Sequence, residues 1–316
     1  MNPPLSVVIV TYNPQPRILE WVLDSIERQT IAKSAFEVIV VDNNSKPPLD
    51  EDELRRGRSF PLRLIREPRQ GNVYARCCGI GAARTELIVF VDDDTYLARD
   101  YLAAALRIAQ TQPHIGVFGG ICEVVLGEDV PRWKEYLIPH VLPSFGVRNH
   151  GPEPIVSMED EYGPWETGTG GMVLRREIGM RFVEFVEHSP ESRRLGRKGN
   201  HSLLSCEDSL LARMACRAGY ANSYQPSLTF YHYIPASRLR IGYLMRLLYG
   251  LGRSSVILER VLGKPLALSH VANSMITFRR LLGNFFEHRF SGLVLSAWDI
   301  GRFLEIFKQN LRSGTI

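Results

Sequence analysis

The sequence predicts an α/β protein, with an open, mostly parallel, mixed sheet covered by helices on both faces and a helical C-terminal extension. Three observations carry that expectation. Short, uninterrupted, β-branched apolar runs recur at residues 6–10, 37–41 and 86–91, as strands buried on both faces require. Segments with apolar residues at helical spacing separate them. Each run ends in a polar cluster, Thr11-Tyr12-Asn13, Asp42-Asn43-Asn44 and Asp92-Asp93-Asp94. Open α/β sheets bind ligands at the carboxyl ends of their strands, so one site built from all three clusters is the economical reading.

The elements follow in order. Behind Pro14 and Pro16, residues Ile18, Leu19, Val22, Leu23 and Ile26 repeat at helical spacing. Residues 46–61 are Pro-rich and charged, which suits a loop or a short surface helix. Residues 62–66 alternate Leu-Arg-Leu-Ile-Arg, as a strand nearer the sheet edge does. Residues 71–83 and 101–109 read as helices. Residues 115–125 read as a strand that Gly119 and Gly120 allow to bend, and 126–165 look irregular. A Gly-rich turn at 165–171 precedes a strand at 172–174. Residues 184–205 are polar and basic and are expected to form a mobile loop. A helix opens at Cys206-Glu207-Asp208 and runs to about Cys216, and residues 223–233 form a last strand with His232 near its end. Residues 236–312 read as two or three helices whose apolar faces carry many arginines. The expected division is therefore 1–235 for the α/β domain and 236–316 for a basic amphipathic extension.

Composition excludes several classes. The 316 residues are 45% hydrophobic and 23% charged, an ordinary globular balance that disordered and collagen-like chains lack. No apolar run approaches the roughly 18 residues of a membrane span. The first residues have no basic n-region, so no signal peptide is expected. Five scattered cysteines without a C-x-x-C pair read as reduced thiols of a cytoplasmic protein rather than zinc ligands. The net charge of +4 is unevenly spread. Residues 236–316 hold ten Arg and two Lys against three Glu and one Asp, a balance of +8 that leaves −4 for the rest. This favours an anionic surface or partner for the extension and argues against a nucleic-acid-binding protein.

Each chemical motif has two readings at this level. Three consecutive carboxylates repel one another, which a divalent cation relieves. If the segment is extended, Asp92 and Asp94 point the same way. The alternative is a helix cap at Asp94 or Thr95. Asp42 can accept from a ribose or a base, or shape an Asx-turn. Arg76 can clamp a diphosphate or lie solvated on a helix. Glu207-Asp208 can supply a general base or complement a helix dipole. His232 with carboxylates suits Mn²⁺ or Mg²⁺, or is an ordinary strand residue. P-loop, dinucleotide and G-x-S-x-G signatures are missing, which weighs against an ATPase, a dehydrogenase and a serine hydrolase.

The order of these signals is more specific than any one of them. Residues 6–13 (Ser-Val-Val-Ile-Val-Thr-Tyr-Asn), Val40-Val-Asp42-Asn-Asn-Ser45, Gly71-Asn-x-x-x-Arg76, Phe90-Val-Asp-Asp-Asp94 and Glu207-Asp208-x-x-Leu-x-x-Arg213 together resemble glycosyltransferase family 2, the inverting enzymes of the GT-A fold. The likeness covers roughly residues 5–235 and departs at Cys77-Cys78, where many relatives carry Asn. It implies a nucleotide-sugar donor held by Thr11, Tyr12, Asn13, Asp42, Asn44, Arg76, Asp92, Asp93, Gly170 and Gly171. It implies Mn²⁺ or Mg²⁺ on Asp94, Asp92 and His232. By the same likeness, acceptor contacts fall to Trp165, Glu166 and Thr167, and the general base is Asp208, with Glu207 as alternative or support.

The implied function is metal-dependent, inverting transfer of a sugar, from a UDP-sugar by the family's commonest pattern, to a hydroxyl of a glycan or lipid-linked glycan. The alternatives are a non-catalytic nucleotide-sugar-binding scaffold and a sugar-phosphate nucleotidyltransferase. The latter class has a Gly-rich basic loop after its first strand, where this sequence has Thr-Tyr-Asn-Pro. The basic extension is expected to bind an anionic membrane surface, cap the core or form a homo-oligomer. The expected location is cytoplasmic, peripheral on the inner face of the membrane.

Overall fold

The computed structural model describes residues 4–128, 137–199, 202–264 and 270–312. Nine strands form one sheet in the order β3-β2-β1-β4-β8-β6-β9-β5, with β7 also paired to β9. Strand β1 (Leu5–Thr11) lies between β2 (Phe36–Asp42) and β4 (Leu87–Asp92), and β3 (Leu62–Arg66) forms the edge beyond β2. These four strands are parallel, with Val8 opposite both Ile39 and Phe90. Every residue of β1 and β2 is buried, which is why the sequence shows continuous apolar runs there rather than alternation.

The remaining strands are antiparallel additions. Strand β8 (Val173–Arg175) pairs with β4 and with β6 (Ile115–Leu126). Strand β9 (Ala221–Ile234) carries β5 (Thr95–Leu97) and β7 (Ile155–Ser157). Helices α1 (Pro16–Glu27), α2 (Glu51–Arg55) and α3 (Asn72–Ala82) connect the parallel strands, and α4 (Tyr101–Thr111) joins β5 to β6.

Two segments differ from the sequence reading. The start of the expected loop at 184–205 belongs to helix α6 (Arg176–His188), because Ile178, Phe182 and Val186 repeat every four residues and are all buried. Residues 95–97 do not cap a helix but form β5. Asp93 and Asp94 therefore occupy a turn between β4 and β5 rather than an extended run. The five cysteines are free thiols.

The chain divides into two compact units. One comprises Met1–Val125, Gly146–His188 and Asp208–Tyr233, and the other Leu126–Phe145, Ser189–Glu207 and Ile234–Ile316. The first contains most of the sheet. At the amino ends of its strands, Glu37 accepts from Ser6 Oγ at 2.8 Å and from Arg63 Nη2 at 2.9 Å. That closes one edge, while the carboxyl edge is left to polar loops.

The second unit is built on α8 (Ile241–Val261) and α9 (His270–Arg312) beside the short helix α5 (Ile138–Val141). A methyl on Gly252 would lie 2.0 Å from the Trp298 carbonyl, and one on Gly301 2.2 Å from that of Tyr249. The two backbones thus touch. Glu305, fully buried, accepts from Arg194 at 2.7 Å and Arg253 at 2.8 Å. Arg280 meets Asp299 at 2.7 Å and lies over the Trp298 ring. Nineteen residues of straight helix span about 28 Å, so α9 turns back on itself between those positions. Three arginines of the extension, Arg253, Arg280 and Arg302, are paired with its own carboxylates, which leaves its basic excess in place. No described helix is long and apolar enough to cross a membrane.

Candidate active site

The three polar clusters meet at the carboxyl edge of the sheet. Thr11, at the end of β1, donates its hydroxyl to Asp93. The next residues turn through Asn13, whose φ is 47°, and Asn44 after β2 has φ 68°. Asparagine tolerates this left-handed region better than branched residues do. The two loops are tied together. Asn13 N–H donates to Ser45 Oγ at 2.9 Å, and Asn13 Oδ1 accepts from Lys46 N–H at 2.8 Å. Tyr12 is exposed.

Asp42 is fully buried. Its two oxygens accept from the N–H groups of Ser45 (2.9 Å) and Leu49 (3.2 Å). This carboxylate shapes its own loop, as an Asx-turn does. Asn43 links that loop to the start of α3 by donating to the carbonyls of Glu67 (3.0 Å) and Arg69 (2.8 Å) and accepting from Gly71 N–H (2.8 Å). Sequence reading had assigned Asn43 no role.

Helix α3 then carries Arg76 inward. The helix approaches the sheet closely because Gly79 sits where a methyl would lie 2.4 Å from Val8. Arg76 lies over the Phe90 ring and donates to Asp92 Oδ1 at 3.3 Å and Thr169 Oγ1 at 2.6 Å. The unusual Cys77 beside it is a packing residue, its thiol pushed up to about 12 by burial.

The turn at 165–171 closes the site. Thr95 Oγ1 donates to the Gly170 carbonyl at 2.9 Å, and the buried Tyr101 hydroxyl donates to that of Gly171. Gly170 lies beside Asp92, and a methyl on Gly168 would stand 3.5 Å from Asp208 Oδ2. Of the acidic pair opening α7 (Glu207–Arg217), Glu207 is buried, while Asp208 is half-buried. Trp165 is half-buried with its ring against Gly163. The Glu166 carboxylate faces inward to Arg213, and Thr167 accepts from Arg148 Nη2 at 2.8 Å. Arg148, Thr169, Ser209 and Tyr101 also build this region. Arg148 and Tyr101 lie in no motif, and only proximity in space reveals them; Thr169 and Ser209 lie within the glycine turn and the acidic motif at positions given no role.

The three consecutive carboxylates separate. Asp92 faces Arg76, Asp93 faces Thr11, and Asp94 Oδ2 lies 3.6 Å from His232 Nε2. Burial alone would lower the His232 pKa. The charge and hydrogen bond of Asp94, helped by Cys122, outweigh it and raise the value to about 10. Among the described residues, no three His, Cys, Asp or Glu side chains converge on one point. The raised value keeps His232 protonated at neutral pH, so a hard divalent cation would have to displace the proton before Asp94 and His232 could offer it an oxygen and a nitrogen donor, as a two-residue site rather than a preformed cage.

A curled, mostly parallel sheet whose carboxyl edge gathers an aspartate-rich turn, a buried arginine and a glycine turn defines the GT-A class of glycosyltransferases. The family description "Glycosyl transferase family 2" matches residues 6–178, more than half of the sequence, and the chain belongs to that family. An uncharacterised glycosyltransferase of Haemophilus influenzae is 30% identical over 112 residues, 35% of this chain and 36% of that protein. The succinoglycan biosynthesis protein ExoM of Rhizobium meliloti is 24% identical over 131 residues, 41% of this chain and 42% of its own length. The matches thus span less than half of these relatives. A mannosyltransferase of Pyrobaculum calidifontis, solved with GDP-mannose and Mn²⁺, shares the fold with TM-score 0.51 and 18% identity, covering 98% of this chain and 88% of that one.

Proposed function

We propose that the protein transfers a sugar from a nucleoside-diphosphate sugar to a hydroxyl of a glycan or lipid-linked glycan, inverting the anomeric centre. The observation that carries this is the short turn 168–170, flanked by Asp208 at Gly168 and by Asp92 at Gly170. A donor and an acceptor meeting over that turn would have the Arg76–Asp92 pair on the diphosphate side and the Asp208 carboxylate on the hydroxyl side.

The loops after β1 and β2, with Thr11, Tyr12, Asn13 and Asn44, hold the nucleoside, and Asp42 maintains the second loop's shape. Asp93, through Thr11, holds the first. Arg76 and Asp92 flank the ribose and diphosphate, where a fork of guanidinium donors suits phosphate oxygens. Gly170 and Gly171 let backbone approach the donor sugar. Trp165, Glu166 and Thr167 form the acceptor side. Asp94 and His232 hold Mn²⁺ or Mg²⁺, which when bound offsets charge on the leaving diphosphate. Asp208, supported by Glu207, takes the proton of the acceptor hydroxyl as that oxygen forms its bond to the anomeric carbon. The bond to the diphosphate oxygen breaks with its electron pair on phosphate. A single displacement of this kind needs one base and no covalent sugar–enzyme intermediate.

UDP-sugar is the donor proposed first. The bound GDP-mannose of the archaeal neighbour makes a guanosine donor the first alternative. The +8 balance of residues 236–316, with Ile300, Leu304 and Phe307 exposed beside Lys308 on α9, supports peripheral docking on an anionic cytoplasmic membrane face.

Calorimetric titration of UDP, GDP and dTDP, each with and without Mn²⁺, tests the donor site. One nucleotide is expected to bind with a requirement for Mn²⁺. Asp208→Asn should keep that binding while turnover falls about 10²–10⁴-fold. Folded protein that binds none of the three removes the donor reading, and undiminished turnover in Asp208→Asn removes the base role.

A further inference from the structure

We infer that Arg213 and Glu166 are the positioning pair that fixes Asp208 against the glycine turn; the inference rests on the reading of Asp208 as the base. Arg213 Nη2 meets Glu166 Oε2 at 3.0 Å, with each side chain only 4% exposed. The Ser209 hydroxyl bonds the same carboxylate. Ser209 and Arg213 stand four apart, on one face of α7, and Asp208 directly precedes Ser209. The Glu166 carboxylate is therefore gripped by the turn of helix that presents Asp208.

The backbone of Glu166 is held from the other side. Arg148 Nη1 donates to the Glu166 carbonyl and Nη2 to Thr167 Oγ1. Two residues beyond Glu166, Gly168 lies beside Asp208, and three beyond, Thr169 accepts from Arg76. One short stretch thus connects the helix of Asp208 to Arg76 and Asp92. Its length sets the separation of the proton-accepting side from the diphosphate side. With the Glu166 side chain released, the turn keeps its anchors at Thr169, Gly170 and Gly171 but loses its tie to α7.

Stability alone does not call for this pair. Burial raises the Glu166 pKa despite the arginine, so the charged form is held at a cost. Buried ion pairs are commonly replaced by apolar residues of equal volume with no loss of stability. A costly polar contact at this position is accounted for by the geometry it imposes. Asp160 lies 3.8 Å from Arg213 Nε and 3.0 Å from Arg217 Nε, so it links the pair to the half-exposed end of α7.

The test uses full-length protein and four variants: Arg213→Met, Glu166→Gln, the double variant of both, and Arg217→Met as control. Three quantities are read: melting temperature, Mn²⁺-dependent affinity for whichever of UDP, GDP or dTDP binds, and release of that nucleotide from its sugar conjugate. Arg213→Met leaves a buried carboxylate uncompensated and should melt lowest. The double variant removes that charge and should recover most of the melting temperature. Its nucleotide affinity should stay within threefold of wild type while nucleotide release remains at least tenfold low. Backbone hydrogen exchange should quicken at least tenfold at residues 169–173 and 211–215 and stay unchanged in β1 and β2. Arg217→Met should match wild type in all three. Recovery of turnover together with stability in the double variant would overturn the inference, as would unaltered exchange at the turn. Wild-type protein that binds no nucleotide would sink the donor reading instead, and the exchange result would then decide the pair's coupling by itself.

Discussion

Arg76 and Asp92 face each other at 3.3 Å, and only 2% of the arginine side chain reaches solvent. A guanidinium this deep must be compensated. Asp92, Thr169 and the Phe90 ring supply that compensation from β4 and the glycine turn. Asp92 is itself one-third exposed, so the pair joins the interior to the open edge of the sheet.

Removing Arg76 should act on folding and on the donor together. Arg76→Met is expected to lower stability by about 3 kcal/mol, as loss of one partner of a buried pair does. Arg76→Lys keeps the charge but not the fork. It should retain most of the stability and weaken nucleoside-diphosphate binding about tenfold, which is about 1.4 kcal/mol. Calorimetric titration reads this directly. Wild-type affinity in Arg76→Lys would place Arg76 outside the diphosphate contact.

Glu37 should give the fold a defined acid sensitivity. Burial would raise its pKa, but hydrogen bonds from Ser6, Arg63 and the Arg84 N–H, with the charge of Arg63, hold it below the ordinary value of 4.5. A carboxyl lowered in the folded state contributes stability at pH above 4.5 and loses it as pH falls through the folded value. Glu37→Gln is therefore expected to be less stable than wild type at pH 7, by about 2 kcal/mol. That gap should begin to narrow as pH falls below 4.5 and shrink further towards the folded value. Denaturant midpoints at pH 7, 5 and 3.5 measure it, and a gap as large at pH 3.5 as at pH 7 would refute the ionised contact.

Two glycines should respond to alanine with opposite signs. A methyl on Gly120 would lie 2.0 Å from the Leu228 carbonyl and 2.3 Å from that of Gln225, both rigid backbone of β9. Gly120→Ala should cost about 1–3 kcal/mol through overpacking. Gly81, near the end of α3, has nothing within 4 Å, and Gly81→Ala should gain about 0.5–1 kcal/mol by restricting the unfolded chain. Thermal melts of the two variants decide the matter.

The parallel half of the sheet was legible because its signal is local. Each of β1, β2 and β4 is a continuous apolar run, and burial on both faces leaves no other pattern. The edge position of β3 followed from its alternation. Helix α6 escaped notice because Met180, Val183 and Phe185 place further apolar residues off the Ile178–Phe182–Val186 stripe and mask its period. The turn at Asp93-Asp94 was read as extended because its cause, the pairing of β5 with β9, lies 137 residues downstream, at Thr95 opposite His232. Gly119 and Gly120 were read as a bend. The structure shows close approach instead, of Thr167 to Gly119 and of β9 to Gly120.

The sequence by itself determined the α/β class, the family and the motif residues at the carboxyl ends of the strands. These depend on hydrophobic period and on the order of short motifs, both of which are read along the chain. Only the tertiary structure decided that Asp92, Asp93 and Asp94 face three different partners and that Glu166 belongs to Arg213. These outcomes are hydrogen bonds and ion pairs between segments 16 to 138 residues apart. Their strength comes from burial and mutual orientation, and neither exists until the sheet has assembled and excluded water from its edge.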